Sequence, residues 1–258
     1  MRRYPSSPYS VSYSFGPGPV SPVIKALIYA NIGMFVLAWI LPAVTLYLGL
    51  SPQSVFGRFY VWQPVTYLFL HAGFLHIIFN MLALWMFGVE LERLWGTRFF
   101  LKYYFVTGVG AAATCLLLAL PWEWVLPLQG VERFTASMRY SLTVGASGSI
   151  YGLLLAYALY FPDRPLFMFP IPIPIKAKYF VMILAGIALL SSMAANQGGV
   201  ANAAHLGGLV VGYLYLKLWR TRPLAEVKYR YFKWKMNRVR RKFDVYSGGR
   251  NDWDRNVH

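Results

Sequence analysis

Four polar side chains stand inside stretches that are otherwise almost wholly apolar: His76 and Asn80, Ser147, and His205. A hydroxyl and an imidazole brought together can run acyl transfer. His205 would take the Ser147 proton as the hydroxyl attacks a carbonyl, then return it to the leaving amine. The tetrahedral oxyanion needs donors. The side chains of His76 and Asn80, with the backbone N–H of Ser147, are the candidates, and one such donor is worth roughly 3–4 kcal/mol in the transition state. Spacing supports the grouping, since His76 and Asn80 are four apart, as are Ser147 and Tyr151, which puts each pair on one helical face. Gly145, Ala146, Gly148 and Gly152 surround the serine, while Gly208 and Gly212 lie four apart beside His205. Small residues at such spacing let two helices approach closely, so the imidazole is expected to reach the hydroxyl. No Asp or Glu falls near these positions, and stacking by Tyr151 is the expected way of orienting the histidine. A metal site is the weaker reading: His71 and His76 are five apart, off a common face, with no accompanying HExxH-type glutamate. No cofactor is expected, and His71 reads as a structural residue. His258 has no context that supports a role.

The elements that must position these groups follow from the charges. The chain is 57% hydrophobic and 13% charged, against about a quarter charged in soluble domains. An ionised side chain at bilayer mid-depth costs several kcal/mol, so long charge-free windows mark spans. Lys25 to Arg58 encloses one, about Ala26 to Tyr47. Arg58 to Glu90 encloses a second, about Leu75 to Val89. Lys102 to Glu123 and Arg139 to Asp163 enclose a third and a fourth, and Lys178 to Lys217 has room for two, turning at Asn196-Gln197-Gly198-Gly199. Six helices are the economical reading, because a backbone in lipid must satisfy its own hydrogen bonds. The second, fourth and sixth run the same way, which sets His76, Ser147 and His205 at one depth in the outer third of the bilayer. Of 25 basic residues, only Arg58, Arg133 and Arg139 fall on the side of segments 44–75, 121–146 and 195–202. Positive charge stays inside, and both termini are therefore expected in the cytoplasm.

Residues 1–22 are rich in Pro, Ser and Gly and read as a flexible tail, with residues 23–219 as the membrane domain. Residues 220–258 form a basic tail with 12 basic and four acidic residues. Its core, Lys228 to Lys235, mixes cations with aromatics, which suits an anionic membrane surface; nucleic acid is not an expected partner. The lone Cys115 lies in an apolar run and reads as packing. Pro170-Ile171-Pro172-Ile173-Pro174-Ile175 cannot be helix and reads as an extended connector. Asp163 and Arg164 beside it read as solvated loop charges.

Three motifs carry a resemblance. Trp62-Gln63 with Thr66 and His71-Ala72-Gly73-Phe74-Leu75-His76-Ile77-Ile78-Phe79-Asn80 come first, then Gly145-Ala146-Ser147-Gly148 with Tyr151-Gly152, then Ala204-His205-Leu206-Gly207-Gly208. In this order they resemble the bacterial rhomboid intramembrane serine proteases over roughly residues 20 to 220. The resemblance implies an all-α, polytopic, six-transmembrane-helix bundle. It implies Ser147 as nucleophile, His205 as general base, His76 and Asn80 at the oxyanion, Tyr151 against the histidine, and a structural role for Glu92. It also implies that Phe59 to Phe74 dips into the outer leaflet and that the fifth span moves to admit substrate.

The expected function is that of an intramembrane serine endopeptidase cutting membrane-protein substrates in or near their transmembrane segments, in a bacterial inner membrane. The competing readings are a non-catalytic rhomboid-like scaffold that binds transmembrane segments, and a transporter. The scaffold class commonly lacks the serine or histidine kept here. Transporters often show internal repeats, and none is evident in this chain.

Overall fold

In a computed structural model of the chain, the described residues are 17–126, 128, 130–167, 174–193, 199–221 and positions 233, 234, 236 and 238. Most of the N-terminal tail, most of the basic tail, residues 170–173 of the proline connector and residues 196–198 of the expected turn lie outside them. The chain divides into two compact units, Met1–Tyr215 and Leu216–His258. In the second, the Arg238 guanidinium lies over the Trp234 ring at 5.1 Å. All packing below belongs to the first.

Helix α1 (Pro22–Ile40) opens on Ser21, whose hydroxyl accepts from the Ile24 N–H, with Pro22 at the first helical position. The expected first span, 26–47, is here two helices. α1 stops before Pro42, and α2 (Ala43–Leu48) starts anew, because the residue before a proline is pushed out of helical geometry. Two short helices follow, α3 (Pro52–Arg58) and α4 (Gln63–Thr66). Then come α5 (Phe74–Ala83), a π turn at Leu84–Gly88, and α6 (Val89–Trp95), which together form one 22-residue rod. Gly96 at φ 77° breaks the chain before α7 (Thr97–Leu118). α8 (Val131–Arg139), α9 (Ser147–Tyr160), strands β1 (Pro165–Phe167) and β2 (Pro174–Lys176), α10 (Ala177–Met193) and α11 (Gly199–Thr221) complete the order.

Among the described residues three helical rods are long and apolar enough to cross a bilayer: α1, α5–α6 and α7. α9 and α10 are apolar but shorter. The third rod begins at Thr97 and so takes Arg98 and Lys102 into its first turns, where long cationic side chains reach the headgroups.

Helix α7 is the post of the bundle. Tyr103 Oη donates to the Gly152 carbonyl (2.8 Å), Ser149 Oγ to the Tyr104 carbonyl (2.7 Å), and Tyr67 Oη to the Gly108 carbonyl (2.7 Å). The rest of the contact is close approach of small residues. A Cβ on Gly152 would meet Thr107 at 2.7 Å, and one on Gly148 would meet Ala111 at 2.6 Å. A Cβ on Gly208 would strike the Gly148 carbonyl itself, so α11 and α9 touch backbone to backbone, as the glycine spacing predicted. Cys115 belongs to the buried core around Leu68, Ala111 and Ala204.

Polar ties hold the far ends. Glu92, buried, accepts from Ser21 Oγ and from Thr97 Oγ1 (2.6 Å), joining the start of α1, the end of α6 and the start of α7. Arg93 donates to the Pro17 and Pro19 carbonyls. The charges read as solvated are paired: Arg164 with Glu90, and Asp163 with Lys176 (3.2 Å) and Lys178 (2.9 Å). The connector is extended where described, β2 pairing antiparallel with β1 through Leu166 and Ile175.

Substituting Gly208→Val forces a branched side chain into the Gly148 carbonyl, and we expect about 3 kcal/mol of destabilisation, the upper end for overpacking, read as a lowered thermal midpoint in detergent. Hydrogen bonding from Lys178, then from Lys176, holds the Asp163 carboxyl below its ordinary value. A depressed carboxyl stabilises above its unfolded pKa and stops doing so as pH falls through the folded one. The clamp at the base of α10 is therefore complete at pH 7 and lost only below about pH 4. Asp163→Asn should speed hydrogen exchange at the Ala177 amide at pH 7 and leave it unchanged at the acid end.

Candidate active site

Ser147 is the first residue of α9, and no side chain caps that helix: Ala146 holds the N-cap position. The first bond back is Ile150 N–H to the Ala146 carbonyl (3.0 Å), so the N–H groups of residues 147–149 have no partner within the helix. They carry the positive end of its dipole beside the serine hydroxyl.

The segment entering α9 is fixed from the loop between α1 and α5. Leu50 and Thr143 exchange both backbone hydrogen bonds (2.9 and 2.8 Å), and the Gly145 N–H donates to the Tyr67 carbonyl (2.9 Å). That loop is itself tied down. Gln63 accepts from the Ser51 N–H and donates to the Tyr47 carbonyl, and Thr66 Oγ1 donates to the Leu48 carbonyl. Gly145 sits at φ 127°, where a side chain is strained. A Cβ there would also lie 2.8 Å from His76 Cε1 and Nε2. The missing side chain leaves the space that the imidazole edge occupies next to Ser147.

Ser147 Oγ and His205 Nε2 are 2.8 Å apart, within hydrogen-bond reach. Tyr151 lies flat on the His205 ring, centroids 4.2 Å apart and planes 6° from parallel, one turn along α9 from the serine. His205 Nδ1 is buried without a hydrogen-bond partner in the described structure. His76 comes to the same place from α5. The Ala72 N–H approaches its Nδ1 at 3.5 Å, an arrangement that suits a proton on Nε2, the atom facing Gly145. Asn80 is buried and donates one amide hydrogen to the His76 carbonyl (2.8 Å).

All four sequence-predicted residues, with Tyr151, line one cavity of about 400 Å³. Its remaining wall is apolar, including Met86 and Phe87 from the π turn, Leu166 from β1, and Phe180 and Leu184 from α10. His71 lies just outside, buried, its ring edge-on to His76 at 5.0 Å. Burial, reinforced by His76, pushes its pKa down to about 3, so it stays neutral across the physiological range. Sequence reasoning missed the parts that hold the serine from outside its helix: Tyr67 through its carbonyl, the Leu50–Thr143 pairing, and the lining from β1. Backbone acceptors and a two-residue bridge leave no mark in residue type. The one readable sign was Gly145 itself, a glycine two residues before the serine, which the structure holds at positive φ.

The chain is 32% identical over 157 residues to the rhomboid protease AarA of Providencia stuartii, covering 59% of this chain and 54% of that protein. It is 29% identical over 197 residues to the mitochondrial rhomboid protein 1 of Saccharomyces cerevisiae, covering 75% and 52%. To the rhomboid protease GluP of Bacillus subtilis it is 28% identical over 168 residues, covering 64% of this chain and 27% of that protein. The chain thus aligns with about half the length of the first two relatives and about a quarter of the third. The rhomboid domain family model matches residues 58–222, from the last residue of α3 to the residue after α11, and with that match over more than half of its length the chain belongs to the rhomboid family of polytopic helical membrane proteins.

Proposed function

We propose that the chain is an intramembrane serine endopeptidase that hydrolyses peptide bonds in or near the transmembrane segments of membrane-protein substrates. The observation that carries this reading is the 2.8 Å separation of Ser147 Oγ and His205 Nε2 on the wall of a 400 Å³ cavity, with Tyr151 stacked on the imidazole. The chain's similarity to AarA and GluP, both rhomboid proteases, supports it.

The membrane domain, residues 23–219, has six spans in this reading: α1, α5–α6, α7, α9, α10 and α11. Residues 1–22 and the basic 220–258 segment are tails on the cytoplasmic side of a bacterial inner membrane, the latter against anionic headgroups. α9 has 14 residues, roughly 21 Å of helix, against about 30 Å of hydrocarbon. A helix that short, ending at the inner face, starts well below the outer one. Ser147 then lies inside the bilayer, and the non-helical segment before it is tolerated at that depth because its backbone is bonded within the protein.

His205 Nε2 takes the proton of Ser147 as Oγ bonds to the scissile carbonyl carbon. The oxyanion is held by the Ser147 N–H, His76 Nε2–H and the second amide hydrogen of Asn80. The imidazolium gives its proton to the leaving amine, and an acyl-enzyme remains on Ser147. Water from the outer face repeats the step, with His205 again as base, and frees the new carboxyl group. Tyr151 keeps the imidazole plane fixed in place of a carboxylate.

A transmembrane reporter peptide should be cleaved by the purified protein in detergent. Ser147→Ala and His205→Ala should each abolish cleavage with the thermal midpoint retained. Persistent cleavage in Ser147→Ala would overturn the mechanism, and binding without cleavage in every lipid would favour the scaffold. Asn80→Ala should lower kcat about 10²-fold with KM little changed. Gly145→Ala should do at least as much, because its methyl group takes the place of the His76 edge. Tyr151→Phe, which keeps the stacked ring, should retain activity that Tyr151→Ala loses.

A further inference from the structure

The connection from α7 to α9 carries a feature that the proposed chemistry does not use. α8 is docked on one side: Met138 is buried with Ala119 and Ala203, against Leu118, so α8 is held to the ends of α7 and α11. Its Phe134 and the following Tyr140 remain exposed. The stretch between α7 and α8 starts with a helical turn at Trp122–Trp124, pinned where Trp122 Nε1 donates to the Leu117 carbonyl (2.7 Å). Beyond that pin apolar side chains face outward: Trp124 is 84% exposed, Val125 69%, Leu128 68% and Leu126 about half.

We propose that Trp122, Trp124, Val125, Leu126 and Leu128, with the outer side of α8, form a foot seated in the lipid interface of the leaflet nearest Ser147. Its partner is phospholipid at the boundary between headgroup and acyl chain. The foot continues the lipid-facing surface of α7, whose last turn exposes Leu117 at 57%. Trp124, Val125, Leu126 and Leu128, four large apolar side chains exposed within five residues, are the kind of surface that lipid or a partner covers. Tryptophan at a span end, with Arg133 and Glu132 on the adjoining turn of α8, is the composition of an interfacial belt. The position gives the foot a consequence, since the chain runs from α8 through Tyr140 and the Thr143 bridge directly into Gly145 and Ser147. Lipid on the foot sets the level at which the segment before the serine is held. This inference rests on the membrane orientation proposed above.

The test uses the full chain and needs no turnover, so an inactive protein leaves it intact. Wild type and Trp124→Phe are reconstituted in phosphatidylcholine vesicles carrying bromine either near the headgroup or deep in the acyl chains, and the emission lost in the variant is assigned to Trp124. The foot predicts that this emission is quenched more by shallow than by deep bromine and is shielded from aqueous iodide. Emission quenched by iodide and indifferent to both bromolipids would overturn the proposal, assigning the surface to water or to a protein partner. Stronger quenching by deep bromine would overturn the interfacial placement.

Discussion

The contact between the Gly148 carbonyl and Gly208 is the constraint on which the rest of the molecule depends. In lipid, apolar side chains gain little by leaving their surroundings, so helices associate through close packing and hydrogen bonds. With no side chain on either glycine, α9 and α11 meet at their backbones. That approach sets the distance from the start of α9 to the imidazole three residues before Gly208. One methyl group between the helices would move the hydroxyl and imidazole apart by more than a hydrogen bond tolerates. The glycine and alanine faces of α7 let all three helices share one tight seam, with the Tyr103 hydroxyl of α7 donating to the Gly152 carbonyl of α9 and the Tyr67 hydroxyl donating from the preceding loop to the Gly108 carbonyl of α7.

A second constraint acts on the serine from outside the seam. In the proposed placement α9 begins below the membrane surface and is entered by irregular backbone, whose polar groups must be bonded within the protein. The loop after α1 solves this by lending its own groups. Leu50 pairs with Thr143, and Tyr67 accepts from Gly145, while Gln63 and Thr66 keep the loop itself rigid. The uncapped start of α9 follows from the same placement. In the proposed chemistry a side-chain cap would occupy N–H groups that the oxyanion needs, which accords with alanine at the N-cap position before Ser147.

Much of this was legible in the sequence. Charge-free windows located the long helices, and the polar residues inside them picked out the four side chains that share the cavity, because a polar group in an apolar run is costly unless it has a purpose. Glycines four apart gave the seam. The errors have physical causes. Charges were treated as walls, although Arg98 and Lys102 lie within α7, since such side chains snorkel. The first span was drawn past Pro42, where the proline itself marked the break. Asp163 and Arg164 are solvent-exposed as read, but their ion pairs went unread because the partners, Lys178 and Glu90, are distant in the sequence and near only after folding. The π turn in the second rod and the pairing of β1 with β2 depend on neighbours in space, and no local pattern announced them.

Formation of a bond to Ser147 tests the central claim most directly. The full-length protein is treated with a fluorophosphonate, and the site of attachment is located by peptide mass spectrometry in wild type and in His205→Ala. The account requires a single adduct on Ser147, formed rapidly in wild type and lost or greatly slowed when the imidazole is absent. Labelling at another serine, or labelling of Ser147 at an undiminished rate without His205, would contradict it.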